Sequence, residues 1–502
     1  MERESIEYDV VVVGGGPSGL ASACKLKQLN PNLSVCLLEK GSEIGSHILS
    51  GAVFEPQTLF DLFPDDAKNC PTLKTPVVKD DLYWLTSSNK SIKIPSWLMP
   101  KSLHNKGNFI ISLGELCQWI SERAMELGVD IFPGFPAQKY LTDQSGRVIG
   151  IATGDMGIDK EGNQKGTYTP GMDILAKQTI FAEGARGHLG KQLIKEFNLD
   201  EGKTPQHFAI GFKEIWEVDN DKHSPGDVVH SMGWPLKGGT SGGGFLYHFD
   251  NNRIAVGLIV DLNYSNPSHS PFQEFQQFKQ HPSIKQFLES GKRVSYGARA
   301  ITKGGINSLV KMEFDGGMIV GCDAGTLNPS KIKGSHCALQ SGILAAEYIN
   351  KVLSEEVCDF DDLFKNSSLY KELYESRNFS AAMHKFGFYL GATYNFIESN
   401  IFRNKLPFTI KDENRDCDSL SLSKSSPVKE YPAPDNVLSF DITSSLFLSG
   451  TNHEEDQPVH LKLTDEAIPL AHNKKLYDEP AQRYCPAGVY EIIEKDGEDY
   501  FQ

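Results

Sequence analysis

The sequence predicts an α/β protein, α+β overall, in which a parallel-sheet domain is interrupted by a β-rich block and followed by a small C-terminal domain. Three observations carry that prediction. Asp9-Val10-Val11-Val12-Val13 is a β-branched apolar run that enters a glycine-rich turn and then a helical pattern. Residues from about 205 to 300 are strand-rich, with Pro and Gly breaks. Residues 316 to 352 return to strand, turn and helix.

A chain of 502 residues has room for roughly three domains. Its net charge of −15 argues against nucleic acid as a partner, because phosphate binding needs a basic surface. The N-terminal residues lack the basic and apolar regions of a secretory signal and are too acidic for a mitochondrial transit peptide. No apolar stretch has the length of a spanning helix. The nine cysteines contain no Cys-x-x-Cys pair, so a disulfide framework is not expected and a reducing compartment fits.

The first turn is Gly14-Gly15-Gly16-Pro17-Ser18-Gly19, which matches Gly-x-Gly-x-x-Gly at 14, 16 and 19. Leu20 to Leu29 carries the helical pattern, and Ser34 to Leu38 is a second strand ending in Glu39. Each part has a reason in dinucleotide binding. Gly14 permits the tight turn, Gly16 lets a pyrophosphate touch the backbone, and Gly19 lets helix and strand pack closely. The helix N-terminus offers N–H groups and partial positive charge. Glu39 can accept from a ribose diol. This fingerprint alone does not separate FAD from NAD.

Further along, Leu113 to Leu127 is amphipathic, with Leu116, Ile120, Ala124 and Leu127 at helical spacing, and Val129 to Phe132 is a strand. One helix is expected near 272 to 290, and another from Ser335 to Val352. Gly238 to Gly244 is glycine-rich, but Phe245 to Phe249 after it reads as a strand. A separate nicotinamide domain is therefore not expected. His384 to Arg403 sets Phe386, Leu390, Tyr394, Ile397 and Ile401 on one helical face, with Phe388, Tyr389, Phe396 and Phe402 widening it and basic residues at both ends. That pattern suits either a membrane interface or a core helix. Lys411 to Pro434 reads as a polar linker. In the C-terminal region, Cys485-Pro486 is similar to the end of a ferredoxin ligand run. A cluster needs four thiolates, and the nearest other cysteine in sequence is Cys417.

Two later strings add a resemblance. Gly316 to Gly325, containing Gly321-Cys322-Asp323, resembles the second fingerprint of glutathione-reductase-type flavoproteins, whose Asp holds the ribityl chain. Thr179 to Gly187, containing Glu183-Gly184, resembles their middle motif. Together with the opening turn they imply FAD.

Over its whole length the chain resembles the electron-transfer-flavoprotein:ubiquinone oxidoreductase family. The marks are Glu43 to Ala52, Gly107-Asn108-Phe109-Ile110, Gly187-His188-Leu189, Gly233-Trp234-Pro235-Leu236, Tyr296 to Ala300, Lys331 to His336, Leu448 to Glu454 and Arg483 to Glu491. The resemblance implies a glutathione-reductase-type FAD-binding Rossmann domain with an inserted β-rich quinone domain and a partial ferredoxin-like C-terminal domain. The expected divisions are 1–200 and 301–355 for the FAD domain, 201–300 for the ubiquinone domain, 356–430 for a membrane-associated helical region and linker, and 431–502 for the incomplete iron–sulfur domain. The implied activity takes electrons from reduced electron-transfer flavoprotein and reduces ubiquinone, through FAD and a 4Fe-4S cluster. The alternative is a soluble FAD-dependent monooxygenase or prenyl reductase of the same fold.

The expected FAD contacts are Gly14, Gly15, Gly16, Pro17, Ser18, Gly19, Glu39, Gly184, Gly321 and Asp323. Gly304 and Gly305 are the expected ubiquinone contacts. No catalytic acid or base is assigned, and Tyr247 and His248 are candidate neighbours of the quinone. Membrane contact is expected near 43–64 and 385–403, on the cytoplasmic face of a bacterial inner membrane, or at the mitochondrial inner membrane in a eukaryote. The chain departs from the family pattern twice. Of the cluster ligands only Cys485 is present, so the chain reads as cut before the other three. Ser112 stands where family members commonly carry Arg.

Overall fold

The computed structural model describes residues 3–49, 51–237, 239–451 and 454–502; Ser50, Gly238, Asn452, His453 and the side chain of Phe388, all within expected features, lie outside the described residues. The apolar run is the strand Ser5–Val13, whose last four residues are buried. It pairs in parallel with Val35–Glu39 on one side and Asp173–Phe181 on the other. Val129–Pro133 extends the sheet beyond the second strand, and Gly317–Ile319 extends it beyond Asp173–Phe181. Such a sheet is covered on both faces, which is why its strands read as continuous apolar runs. Helices Pro17–Leu29, Leu113–Glu126 and Ser335–Leu353 supply residues to the same core.

A second sheet has seven strands. Its order is Lys292–Thr302, Phe208–Glu217, Arg253–Asp261, Gly242–His248, Asp227–Gly233, Lys79–Leu85 and Ser91–Ile94. The chain therefore does not divide at 200 as expected: residues 79–94 leave the first domain to complete the second sheet. Lys79–Leu85 joins through a parallel pairing with Asp227–Gly233, a contact of long sequence separation that no local pattern announces. One face of this sheet is packed by the helices Pro271–Gln280 and Pro282–Leu288. The single helix expected near 272 to 290 is two, because Pro282 has no N–H and starts a new helix after extended His281. The other face meets the first domain through Val53, Ile110, Ile215, Phe245 and Tyr247.

The stretch 43–64 exposes polar residues, among them Glu43, Ser46, His47, Gln57 and Asp61, and turns most of its large apolar side chains inward. Ile44, Val53, Phe54, Leu59, Leu62 and Phe63 are all buried, so these side chains belong to the core. The expected linker is also tied down. Asp416 accepts from the Phe208 N–H, Pro427 O accepts from Asn266, and the Tyr431 hydroxyl donates to Glu274. Beyond it, the C-terminal region holds short helices and the hairpin Ile492–Lys495 with Glu498–Phe501.

Candidate functional site

The opening turn is shaped by close backbone approach. Gly14 has φ +110°, and a Cβ there would lie 2.5 Å from Ala182 O; a Cβ on Gly19 would strike Gly14 O. A Cβ on Gly16 would meet nothing within 4 Å, so the turn is tight at both ends and open in the middle. Pro17 starts the helix, and no side chain caps it. The first-turn N–H groups are thus left to a ligand, and the helix dipole favours an anion. Glu39 lies beside the turn: its Oε2 accepts from the Gly15 N–H at 2.9 Å and its Oε1 from the Gly41 N–H at 2.7 Å.

The three fingerprint segments meet. A Cβ on Gly321 would touch Ser18 Oγ, so the second fingerprint packs on the first turn of the opening helix. The middle motif supplies Gly184, at φ +84°, with Arg299 beside it, and Glu183, whose Oε2 accepts from the Leu189 and Gly190 N–H groups. Asp323 sits against Gly187 and Gly190. Its Oδ1 accepts from the Gly187 N–H at 3.3 Å, while its Oδ2 is buried with no hydrogen-bond partner. Burial, and then the nearby Glu183 charge, push the Asp323 carboxyl well above its usual range. A buried carboxyl oxygen left without a partner in a polar cradle is what a ligand hydroxyl completes. The residues present fit an extended dinucleotide with a polyol chain.

Gly304 and Gly305 follow the last strand of the second sheet. The Gly304 N–H donates to Gln206 Oε1 at 2.8 Å. Gly305 has φ +64°, and a Cβ there would meet only Pro329, at 3.9 Å. Tyr247 faces the first domain, its hydroxyl 3.0 Å from His230 Nε2. His248 lies across the strand from it and accepts from the Ser224 N–H. The two therefore do not share one site. Ser112 caps the helix Leu113–Glu126, its Oγ accepting from the Glu115 N–H, and the capping role accounts for a serine at that place.

The aromatic helix runs from Phe379 to Asn400, with a break at Gly387 (φ 71°). Its polarity is inverted for a core helix. Asn395 and Glu398 are buried, whereas Phe386, Tyr389, Leu390 and Ile397 are exposed. Ile401 and Phe402, just beyond it, are exposed too, and Tyr394 is half-buried. Asn378 Nδ2 donates to Glu398 Oε1 at 2.6 Å, which accounts for the buried polar side. In the short helix Ser96–Leu98, Trp97 is 76% exposed. Among the described residues no helix is long and apolar enough to cross a membrane.

Cys485 is buried and belongs to no group of three or more metal-ligating side chains among the described residues. One thiolate does not complete a 4Fe-4S site, so residues 1–502 by themselves do not fit the cluster.

Sheet, turn and buried acid define the class: a flavoprotein oxidoreductase with a Rossmann-type dinucleotide domain. Solved structures agree on the fold. A geranylgeranyl bacteriochlorophyll reductase-like protein from Thermoplasma acidophilum aligns at TM-score 0.55 and 17% identity, over 95% of this chain and 98% of that one. A flavin-dependent brominase aligns at TM-score 0.52 and 16% identity, over 80% and 92%. Family models match at 12–65 (NAD(P)-binding Rossmann-like domain), 208–301 (ETF-QO, ubiquinone-binding) and 436–502 (electron transfer flavoprotein-ubiquinone oxidoreductase, 4Fe-4S). The electron transfer flavoprotein-ubiquinone oxidoreductase of Pseudomonas aeruginosa is 57% identical, over 100% of this chain and 93% of the relative. The mitochondrial protein of that name from Sus scrofa is 46% identical, over 100% and 84%. The chain belongs to the electron transfer flavoprotein-ubiquinone oxidoreductase family. FAD and a 4Fe-4S cluster are the cofactors that this membership brings.

Proposed function

We propose that the chain takes electrons from reduced electron-transfer flavoprotein and passes them to ubiquinone, giving ubiquinol. The observation that carries this reading is the half-satisfied Asp323 beside fingerprint segments that meet at the glycine turn and Glu39, within a chain of this family. Bound FAD accepts and releases electrons singly or in pairs, which joins a one-electron donor to a two-electron product. The protein's own residues place it. Gly14 to Gly19 and the helix N-terminus hold the pyrophosphate, with Pro17 and Ser18 fixing the first turn. Glu39 orders the adenosine ribose, and Asp323 takes the ribityl chain with Gly184 and Gly321 closing around it.

Gly304 and Gly305 are the proposed quinone contacts; the open side of Gly305 supports the choice. Cys485 is the proposed cluster ligand within 436–502. The exposed stripe of the kinked helix, with Trp97 beside Lys93 and Lys101, supports a lipid-facing surface that lies on the membrane. A bacterial relative at 57% identity supports the cytoplasmic face of a bacterial inner membrane.

The test is direct. Purified protein should bind flavin, be reduced by reduced electron-transfer flavoprotein, and turn over a short-chain ubiquinone, with no response to NADPH. NADPH consumption with oxygen uptake would instead identify a monooxygenase.

A further inference from the structure

Beside Gly304 lies a closed set of six charged side chains from five segments of the fold. Lys303 Nζ contacts both oxygens of Asp261, at 2.6 and 2.7 Å. Asp261 Oδ2 faces His384 Nε2 at 3.8 Å. His384 Nδ1 lies 2.7 Å from Asp412 Oδ2, and the same oxygen is 3.2 Å from His207 Nε2. His207 Nδ1 lies 2.8 Å from Asp416 Oδ1. His207 and Asp261 are buried, the His384 side chain is 8% exposed, and Asp412 and Asp416 are 13% and 14% exposed. The segments are the approach to Phe208–Glu217, the end of Arg253–Asp261, the residue after Lys292–Thr302, the stem of the aromatic helix, and the tied-down stretch after it.

The charge count is the informative part. Asp261, Asp412 and Asp416 carry three negative charges, and Lys303 supplies one positive charge. The set is neutral only when both imidazoles are protonated, which adds two. Burial pushes the His207 imidazole down, but hydrogen bonds and charge from Asp412 and Asp416 outweigh it and lift it to about 9. Burial likewise opposes the His384 charge, and Asp261 and Asp412 overcome it. Two imidazolium protons are thus placed in a mostly buried chain whose more exposed members are Asp412, Asp416 and Lys303, at 13%, 14% and 18%.

We propose that His207 and His384, linked through Asp412, Asp261 and Lys303, are a two-proton reservoir for reduction of the quinone at Gly304–Gly305. The inference rests on the reading of that glycine pair as the quinone contact. The balance closes: one quinone gains two electrons from the flavin, which electron-transfer flavoprotein has reduced, and two protons from the reservoir. Each proton leaves an imidazolium N–H and passes along the chain through Asp261 to Lys303, where an N–H bond breaks as an O–H bond forms on a quinone oxygen. The oxygen's added electron density makes it the stronger base, and the neutral imidazoles regain protons from water through Asp412 and Asp416. The network is also bonded to the stem of the helix that would lie on the lipid, since the Ser380 hydroxyl donates to Lys303 O at 3.0 Å.

The experiment uses the full chain with FAD and compares His207→Gln, His384→Gln and the double variant. Flavin reduction by electron-transfer flavoprotein without quinone should stay within about twofold, and so should flavin content. Reduction of a short-chain ubiquinone at pH 8 should fall about 100-fold in the double variant, the scale of a lost acid catalyst. Added imidazole, or lower pH, should restore part of it. Unchanged quinone reduction would overturn the proposal. So would a loss that is equal at every pH and deaf to imidazole, or one equivalent of metal bound in the parent and lost in His207→Gln. Gly305→Ala tests the underlying reading separately: an unchanged quinone KM moves the quinone elsewhere, while the imidazole response still decides the role of the histidines.

Discussion

Trp84, on the strand Lys79–Leu85, meets Tyr389 of the kinked helix edge to face, with ring centroids 5.9 Å apart. This contact joins two parts of the chain that are some 300 residues apart in sequence. Ile92 on the adjoining strand, Trp97 in the short helix after it, and Phe386, Tyr389 and Leu390 of the kinked helix are all exposed. Replacing Trp97, Tyr389 and Leu390 together by Ser should cut the vesicle-bound fraction at least about 10-fold, because each large side chain is worth more than about 1.4 kcal/mol when buried. Co-sedimentation with phospholipid vesicles reads the result, and full retention on the vesicles would place the lipid contact elsewhere.

The proposed role of Asp323 predicts that flavin retention falls when its carboxyl is removed. Asp323→Ala removes the oxygen that has no protein partner and should yield protein with less than about a tenth of the parent's flavin, from the loss of a buried hydrogen bond of about 1–3 kcal/mol at each oxygen. Gly190→Ala should do the same by a different route, since its Cβ would overlap the Asp323 carboxyl. The absorbance ratio of flavin to protein measures both.

Glu214 is the anchor of a buried ion network. Lys279 Nζ lies 2.8 and 2.9 Å from its two oxygens, and Arg293 donates to it at 3.1 Å. Arg293 also donates to Ser445 and packs over Phe440, which ties the C-terminal region to the second sheet. Glu214→Gln leaves two buried cations without their counter-charge and should cost about 3–5 kcal/mol. Urea unfolding followed by tryptophan fluorescence should show it. Arg293→Met should make the segment near 440 to 448 more sensitive to limited proteolysis.

The His207 network also predicts a pH dependence of stability. The folded-state value, about 9, lies above the ordinary histidine value of about 6.5. The native state therefore binds more protons between those values. Its contribution is complete below about pH 6.5 and is lost as pH rises through about 9. The melting temperature should fall across that window and fall less in His207→Gln. An equal slope in both proteins would assign the dependence to other groups.

The opening turn was legible because every part of it is local. Gly14, Gly16, Gly19 and Glu39 fall within one strand–helix–strand unit, and the structure places Glu39 hydrogen-bonded to that turn. Asp323 was legible through its own strand and turn. Its relation to Gly187 and Gly190 was not, because those glycines sit at the start of a helix more than a hundred residues earlier. The proton network was missed for the same reason: none of its members stands near another in a recognisable spacing, apart from Asp412 and Asp416. The signal that could have found it is the cluster of Asp and Lys in a stretch read as linker. In 43–64 the sequence showed apolar content but not its direction, because apolar content alone does not say which way a side chain faces, and Phe54, Leu59 and Leu62 face the core.

By itself the sequence determined the dinucleotide turn, the two strand–turn–helix units, the family and the existence of an aromatic helical stripe. These follow from backbone sterics and from periods of two and 3.6 residues, which act over a few neighbours. Tertiary structure decided that the stripe points outward over a buried Asn378–Glu398 pair, that residues 79–94 complete the second sheet, and that six distant ionisable side chains come together in one set. Those outcomes depend on which surfaces meet, and burial and charge balance are properties of the assembled chain.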